Sequence, residues 1–181
     1  MPAAFPAPTA RLRFRRWCDG DLALALSLWG DPAVTRLIDA RGPLSPAQVA
    51  DRLRQELEYD RLYGYQYWPI LTGRSLLVGC CGLRPYRPAE QVAELGVHIR
   101  PAYWRQGYAL EAARAVIGHA FDELNLRGLF AGHHPDNTAS RGLLERLGFR
   151  YTHDEPYPAT GREHPSYLLD PTTHVPPAGN Q

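Results

Sequence analysis

The stretch that most constrains this chain is VAELGVHIRPAYWRQGYALEAARAVIGHAF, residues 92–121. A largely apolar strand pattern runs into a short aromatic and basic turn. Beyond Gly107, Leu110, Ala113, Ile117, Ala120, Phe121 and Leu124 recur at three- and four-residue steps. That spacing predicts a helix over 108–124 with one buried face. Gly107 itself has two readings. It lets the chain bend, with no further role. Alternatively, the exposed N–H groups of the helix start receive phosphate oxygens, with Arg105 adding a charge-assisted contact.

The rest of the chain supplies the elements around this unit. RLRFRRW alternates Leu12 and Phe14 with Arg13 and Arg15, as a half-exposed strand does. DGDLALALSLWGD reads as an apolar helix opened by Asp19 or Asp21. In SPAQVADRLRQELEYDRLYG, Ser45 is the N-cap, Pro46 takes the first helical position and Gly64 ends the helix. QYWPIL, LLVGCCGL and VAELGVHI read as strands, separated by turn chemistry at TGR and RPYRPAE. LRGLFAGHH is a further strand. DNTASRGLLERLG is a short helix capped by Asp136 or Asn137, with Gly148 past its end, and FRYTHDE and HPSYLLD close the order as strands. The sum is one α/β (α+β) domain over residues 11–170 with about four helices, between mobile tails at 1–10 and 171–181.

Composition removes several functions. A net charge of +1 gives no basic field, so nucleic acid is not expected as a partner. All 20 basic residues are Arg. Three Cys, two of them adjacent at Cys80 and Cys81, make no disulfide framework and read as small apolar residues. No apolar run is long enough to span a membrane and no signal-peptide core is present, so a reducing cytoplasm is the expected setting. The pair His133–His134 points to opposite faces of a strand and has no companion ligands, so no metal is expected.

From RLRFRRW through WGDPAVTRLI, SPAQVADRL and LLVGCCGL to ELGVHIRPAYWRQGYALEAARAVIGHAF, HHPDNTASRGLLERLGF and GFRYTHDE, the sequence resembles the GCN5-related N-acetyltransferase superfamily, and within it the Rim-type branch. The likeness covers roughly residues 10–170. It implies a twisted, mainly antiparallel sheet splayed between its fourth and fifth strands, with acetyl-CoA as co-substrate in the gap. The family's pyrophosphate turn, Q/R-x-x-G-x-G/A, matches Trp104, Arg105, Gln106, Gly107, Tyr108 and Ala109, with Trp where Gln or Arg is usual. The contacts come from main-chain N–H groups, so that replacement leaves the logic intact. By the same resemblance, Val97, His98 and Ile99 form the strand edge beside the pantetheine arm, a main-chain N–H near Val97 meets the acetyl oxygen, and Asn137 contacts the arm. His98 reads as structural rather than as a base.

Acyl transfer to an amine needs a base, an oxyanion donor and a proton for the departing thiolate. Glu94, a carboxylate inside an apolar strand, is the candidate base, unless it faces solvent or only orients the substrate ammonium. The Tyr that many relatives carry seven residues after the Asn is Leu144 here. Ser140, three after Asn137, is the remaining thiolate partner, unless it only caps a turn. Trp29, Arg36, Tyr67 and Trp68 are candidate acceptor contacts. Successive strand residues face opposite sides, so at least one of Tyr67 and Trp68 belongs to the core. Asp31, Asp39, Glu58 and Asp60 are the acids available for a polycationic acceptor. The activity implied is N-acetylation of a protein N-terminus or a small amine. The alternatives are a non-catalytic acyl-CoA sensor and a transferase of larger acyl groups. Relatives are often dimers, so a homodimer is a further expectation.

Overall fold

The computed structural model describes residues 5–38 and 42–173. Seven strands form one sheet in the order β1-β2-β3-β4-β5-β7-β6. They are β1 (Leu12–Phe14), β2 (Tyr67–Thr72), β3 (Leu77–Arg87), β4 (Val92–Ile99), β5 (Gly128–Gly132), β6 (Arg150–Tyr157) and β7 (Arg162–Leu169). Every neighbouring pair is antiparallel except β4 and β5. The helices are α1 (Leu22–Trp29), α2 (Pro32–Thr35), α3 (Pro46–Tyr63), α4 (Tyr108–Gly118) and α5 (Thr138–Arg146).

Helix α3 forms where its caps place it. The Ser45 hydroxyl accepts from the Gln48 N–H, and the Gln48 carboxamide oxygen accepts in return from the Ser45 N–H. At the far end Gly64 takes φ +77°, a left-handed conformation that costs glycine little, and its N–H closes on the Asp60 carbonyl. The inward face carries Val49, Arg52, Leu53 and Glu56, so two of the four buried positions are charged.

The sheet divides two apolar layers. On one face α1, α2 and α3 bring Leu28, Trp29, Val34, Val49 and Leu53 against Tyr67 and Cys80. On the other, α4 brings Ala112, Ala113, Val116 and Ile117 against Trp68, Cys81 and Leu83. Adjacent residues on β2 and β3 therefore serve opposite layers, as the pleat requires. Cys80 and Cys81 are both buried free thiols.

Three elements differ from the sequence reading. Residues 119–123 continue α4 as a turn of π-helix, which brings His119 into the buried face beside Ala120 and leaves Phe121 half-buried, while Leu110, in the open first turn, is half-buried too. Strand β3 runs on to Arg87 through the expected turn, because beyond Leu83, whose N–H still reaches the Gln66 carbonyl, it has β4 alone as partner and tolerates Pro85 at an open edge. The β6–β7 hairpin pairs out to Tyr157 and Arg162, whereas β7 meets β5 only over Ser166–Leu169. Its outer half projects past β5, and almost every β6 residue is exposed, so no burial pattern announced it.

The position of the site follows from one short ladder. Strands β4 and β5 pair only at Val92, Ala93 and Glu94 with Gly128, Leu129 and Phe130. Beyond Glu94, β4 continues on β3 and β5 continues on β7. Residues 95–99 thus keep one free edge, facing the gap between the two halves of the sheet.

Candidate active site

A cleft of about 1480 Å³ fills that gap. One end lies at the start of α4. Gly107 is the N-cap with φ +81°, and no side chain caps the helix. The first intrahelical bond, from the Glu111 N–H to the Gly107 carbonyl, leaves the N–H groups of Tyr108, Ala109 and Leu110 without helical partners at the cleft wall. The turn before them is fixed from several sides. Trp104 Nε1 donates to the Ile99 carbonyl at 2.7 Å, and Gln106 Nε2 to the Ala102 carbonyl at 2.9 Å. Arg11 donates to the Gln106 carbonyl and lies 4.2 Å over the Tyr108 ring, held by Glu111. Arg105 sits at φ +59° with an exposed side chain that lines the cleft. A Cβ on Gly107 would be strained by its φ, yet would meet only the end of Arg11, at 3.4 Å. The uncapped helix start, the left-handed turn and the nearby guanidinium suit an anion such as a diphosphate.

Along the free edge, Val97, His98 and Ile99 all line the cleft. His98 Nδ1 accepts a hydrogen bond from Trp29 Nε1 at 3.1 Å, which fixes the neutral Nε2–H tautomer. Burial, with Arg52 and Arg84 nearby, holds its pKa well below the usual range for histidine. With Nδ1 occupied and the ring neutral, His98 is a donor, not a base.

Opposite this edge stands the start of α5. Asn137 Oδ1 accepts from the Ser140 N–H at 3.0 Å and caps the helix, while its Nδ2 has no partner among the described residues. Ser140 Oγ is likewise unpartnered, so its hydroxyl is not spent on the turn. Both residues line the cleft. Leu144 packs in the core at 4% exposure, where no acid is available.

On the α1–α3 face of the sheet, Glu94 enters the cleft from β4. Its carboxylate has no hydrogen bond to a described residue. Burial raises its pKa, and Arg84 and Arg52 pull it partly back. Beside it, Tyr67 lies directly on Gly96, where an added Cβ would come within 2.1 Å of the phenol oxygen. Burial first, then the Glu94 charge, pushes the Tyr67 pKa well above the usual range for tyrosine, so it remains a neutral phenol.

A buried charged group underlies this face, and the sequence reading missed it. Glu56, with no exposure, accepts from the Tyr67 N–H at 2.8 Å and from Arg84 Nη2 at 2.5 Å. The Arg84 guanidinium lies 4.4 Å over the Tyr67 ring, and that of Arg52 lies 4.8 Å over Trp29. The available signal was spacing: Arg52 and Glu56 share the face of α3 that carries Val49 and Leu53.

The four acceptor candidates separate. Arg36 and Tyr67 line the cleft. Trp29 and Trp68 do not: both are fully buried, Trp29 against Trp17 and Trp68 edge-on to His119 in the opposite layer. Their indoles are core, because each lies beneath a helix layer rather than at the gap. The acids considered for a polycation are also engaged elsewhere. Asp31 caps α2, Glu58 pairs with Arg61 and Asp60 with Arg16, and none of the three lines the cleft. Asp39 lies outside the described residues. Among the described residues, no three His, Cys, Asp or Glu side chains group as metal ligands, and no helix is long and apolar enough to cross a membrane.

Residues 11–150 match the family model described as "Acetyltransferase (GNAT) domain". The chain is 28% identical over 144 residues to p20 of Bacillus licheniformis, named an uncharacterized N-acetyltransferase, covering 78% of this chain and 80% of that one. It is 30% identical over 155 residues to the uncharacterized protein YkkB of Bacillus subtilis, covering 84% and 89%. Among solved structures it is similar to RimL, a ribosomal L7/L12 α-N-protein acetyltransferase in complex with coenzyme A, with a TM-score of 0.78 at 16% identity, covering 91% and 96%. The chain belongs to the GNAT acetyltransferase family, with the fold that the resemblance implied, and it is an acetyltransferase enzyme.

Proposed function

We propose that this protein moves the acetyl group of acetyl-CoA to a primary amine, on a protein N-terminus or a small molecule, by direct attack with both substrates bound. The observation that carries the proposal is the continuity of one cleft from the uncapped start of α4, along the free β4 edge, to Glu94, whose carboxylate has no hydrogen bond to a described residue.

Acetyl-CoA supplies an activated thioester, and the protein's residues bind, orient and handle protons. The N–H groups at 108–110 and Arg105 hold the diphosphate. The main-chain groups of residues 95–99 that face the gap, apart from the Ile99 carbonyl held by Trp104, pair with the pantetheine amides as a further strand would, and Asn137 Nδ2 donates to the same arm while Oδ1 keeps its cap. A main-chain N–H near Val97 stabilises negative charge growing on the carbonyl oxygen. Glu94 takes the proton that the amine loses as its C–N bond forms. The C–S bond breaks, and the thiolate takes a proton or a hydrogen bond from Ser140 Oγ, which solvent restores.

Calorimetric titration with acetyl-CoA tests the cofactor half, beside a Gly107→Trp variant that fills the turn. Micromolar binding by the wild type and none by the folded variant is expected. A folded wild type that does not bind acetyl-CoA refutes the proposal.

A further inference from the structure

Arg84 and Glu94 are direct partners in the β3–β4 register, so their side chains leave the same face as close neighbours. Both line the cleft, and they carry opposite charge. No ion pair joins them. Arg84 is drawn back onto Glu56 and the Tyr67 ring, while its Nε is buried without an acceptor and its side chain stays 21% exposed. Glu94 accepts no hydrogen bond from a described residue. The floor of the site thus presents a carboxylate and a guanidinium side by side; the buried Nε does not reach the cleft and Nη2 already donates to Glu56, so the guanidinium offers the cleft its remaining Nη hydrogens. Arg52, one helical turn before Glu56, adds positive potential, and the Tyr67 phenol and the His98 Nε2–H add two neutral donors.

Resting on the acetyltransferase reading above, we propose that the acceptor is a free α-amino acid, its amine delivered to Glu94 and its carboxylate to Arg84. In such a zwitterion one carbon separates the two charged groups, which matches neighbours on paired strands. The carboxylate takes a fork of guanidinium donors and partly offsets the Arg84–Arg52 repulsion. A polyamine or amino sugar would instead press further cations towards those arginines, and would have to reach Glu155, Asp51 or Asp136 on the cleft wall to pair them. A peptide N-terminus would place a neutral amide where the fork expects an anion. The reaction stays balanced: the ammonium of the zwitterion gives one proton to solvent before attack, the neutral amine loses a second to Glu94 as the C–N bond forms, the C–S bond breaks with the thiolate taking a proton from Ser140 Oγ that solvent restores, and the carboxylate is unchanged.

Free-thiol release from acetyl-CoA is followed with the L-amino acids, their carboxamides, the corresponding decarboxylated amines, and spermidine. Losing a charge-assisted contact corresponds to roughly 10- to 100-fold, so kcat/KM for the best amino acid should exceed that of its amide and its decarboxylated amine by about that factor. In Arg84→Lys, which keeps a cation for Glu56 but loses the fork, the amino-acid-to-amide ratio should narrow at least about tenfold. Acetyl-CoA affinity by calorimetry should be unchanged. Equal or better use of amides, decarboxylated amines or spermidine overturns the inference and leaves the acetyltransferase reading standing, as does acetyl-CoA binding with no amino acid turned over. Failure to bind acetyl-CoA overturns both. The wild-type acceptor series decides the question even if the variant does not fold.

Discussion

Replacing Glu56 with Gln isolates the buried charge that supports the acceptor face. The native carboxylate has no exposure and accepts two hydrogen bonds, from the Tyr67 N–H at 2.8 Å and Arg84 Nη2 at 2.5 Å. A carboxamide of the same size keeps one oxygen and turns an NH₂ group towards the other donor. The Arg84 cation then loses its hydrogen-bonded counter-charge and keeps only the more distant pull of Glu94, its partner on β4. Removing one partner of a buried pair costs about 3–5 kcal/mol. Because the Arg84 side chain is 21% exposed, water relieves part of this, and the lower end applies. A loss of about 3 kcal/mol in a domain of this size lowers Tm by roughly 6–12 °C. Thermal and urea unfolding, followed by circular dichroism and tryptophan fluorescence, measure it, and coincidence of the two probes supports two-state treatment. Glu56→Gln with Arg84→Met removes the orphaned charge and should recover about half the loss. A single-variant cost below about 1 kcal/mol, or a double variant no more stable than additivity allows, would refute the reasoning.

The raised pKa of Glu94 sets a direction for activity. Its proton persists above the usual glutamate range, so kcat/KM should rise with pH along a limb displaced upward, and Glu94→Gln should remove that limb with most of the turnover; a limb that survives the substitution assigns it to another group. The same shift means that the folded state holds the proton more tightly than the unfolded chain, so stability should fall slightly as pH rises through the interval between the two values. Gly96→Ala drives a Cβ within 2.1 Å of the Tyr67 oxygen, and should cost about 1–3 kcal/mol and raise the acceptor KM more than acetyl-CoA affinity; an unchanged KM would show that the phenol is not part of the acceptor site. Burial raises the thiol pKa of both Cys80 and Cys81, whereas Cys18 is exposed, so iodoacetamide should add one label to the native protein and three after denaturation, by intact mass.

What could be read from the sequence were the features that depend on local chemistry. Ser45, Gln48, Pro46 and Gly64 delimit α3 because a cap is written in adjacent residues. Gly107 marks the start of α4 because a left-handed turn selects glycine. Features set by packing were not legible. Arg52 and Glu56 look like ordinary solvated charges on a polar helix until β2 and β3 are laid against it. Trp29 and Trp68 look like aromatic walls of a pocket, yet an indole close to a site and one inside a layer have the same sequence signature. The outer half of the β6–β7 hairpin has no buried face to give it a period, and only strand pairing reveals it.

The three-residue ladder between β4 and β5 also has a mechanical meaning. Strands β1–β4 and β5–β7 make two cooperative units whose backbones are joined by a short seam, with α4 packed on β3 and β4 and touching α5. Amide exchange should distinguish them. The paired interiors of each unit should protect strongly, while residues 95–99 exchange faster on their free side. A ligand laid along that edge would act as an eighth strand, and slowed exchange would spread from β4 into β5 and the start of α5 as the two units begin to open together.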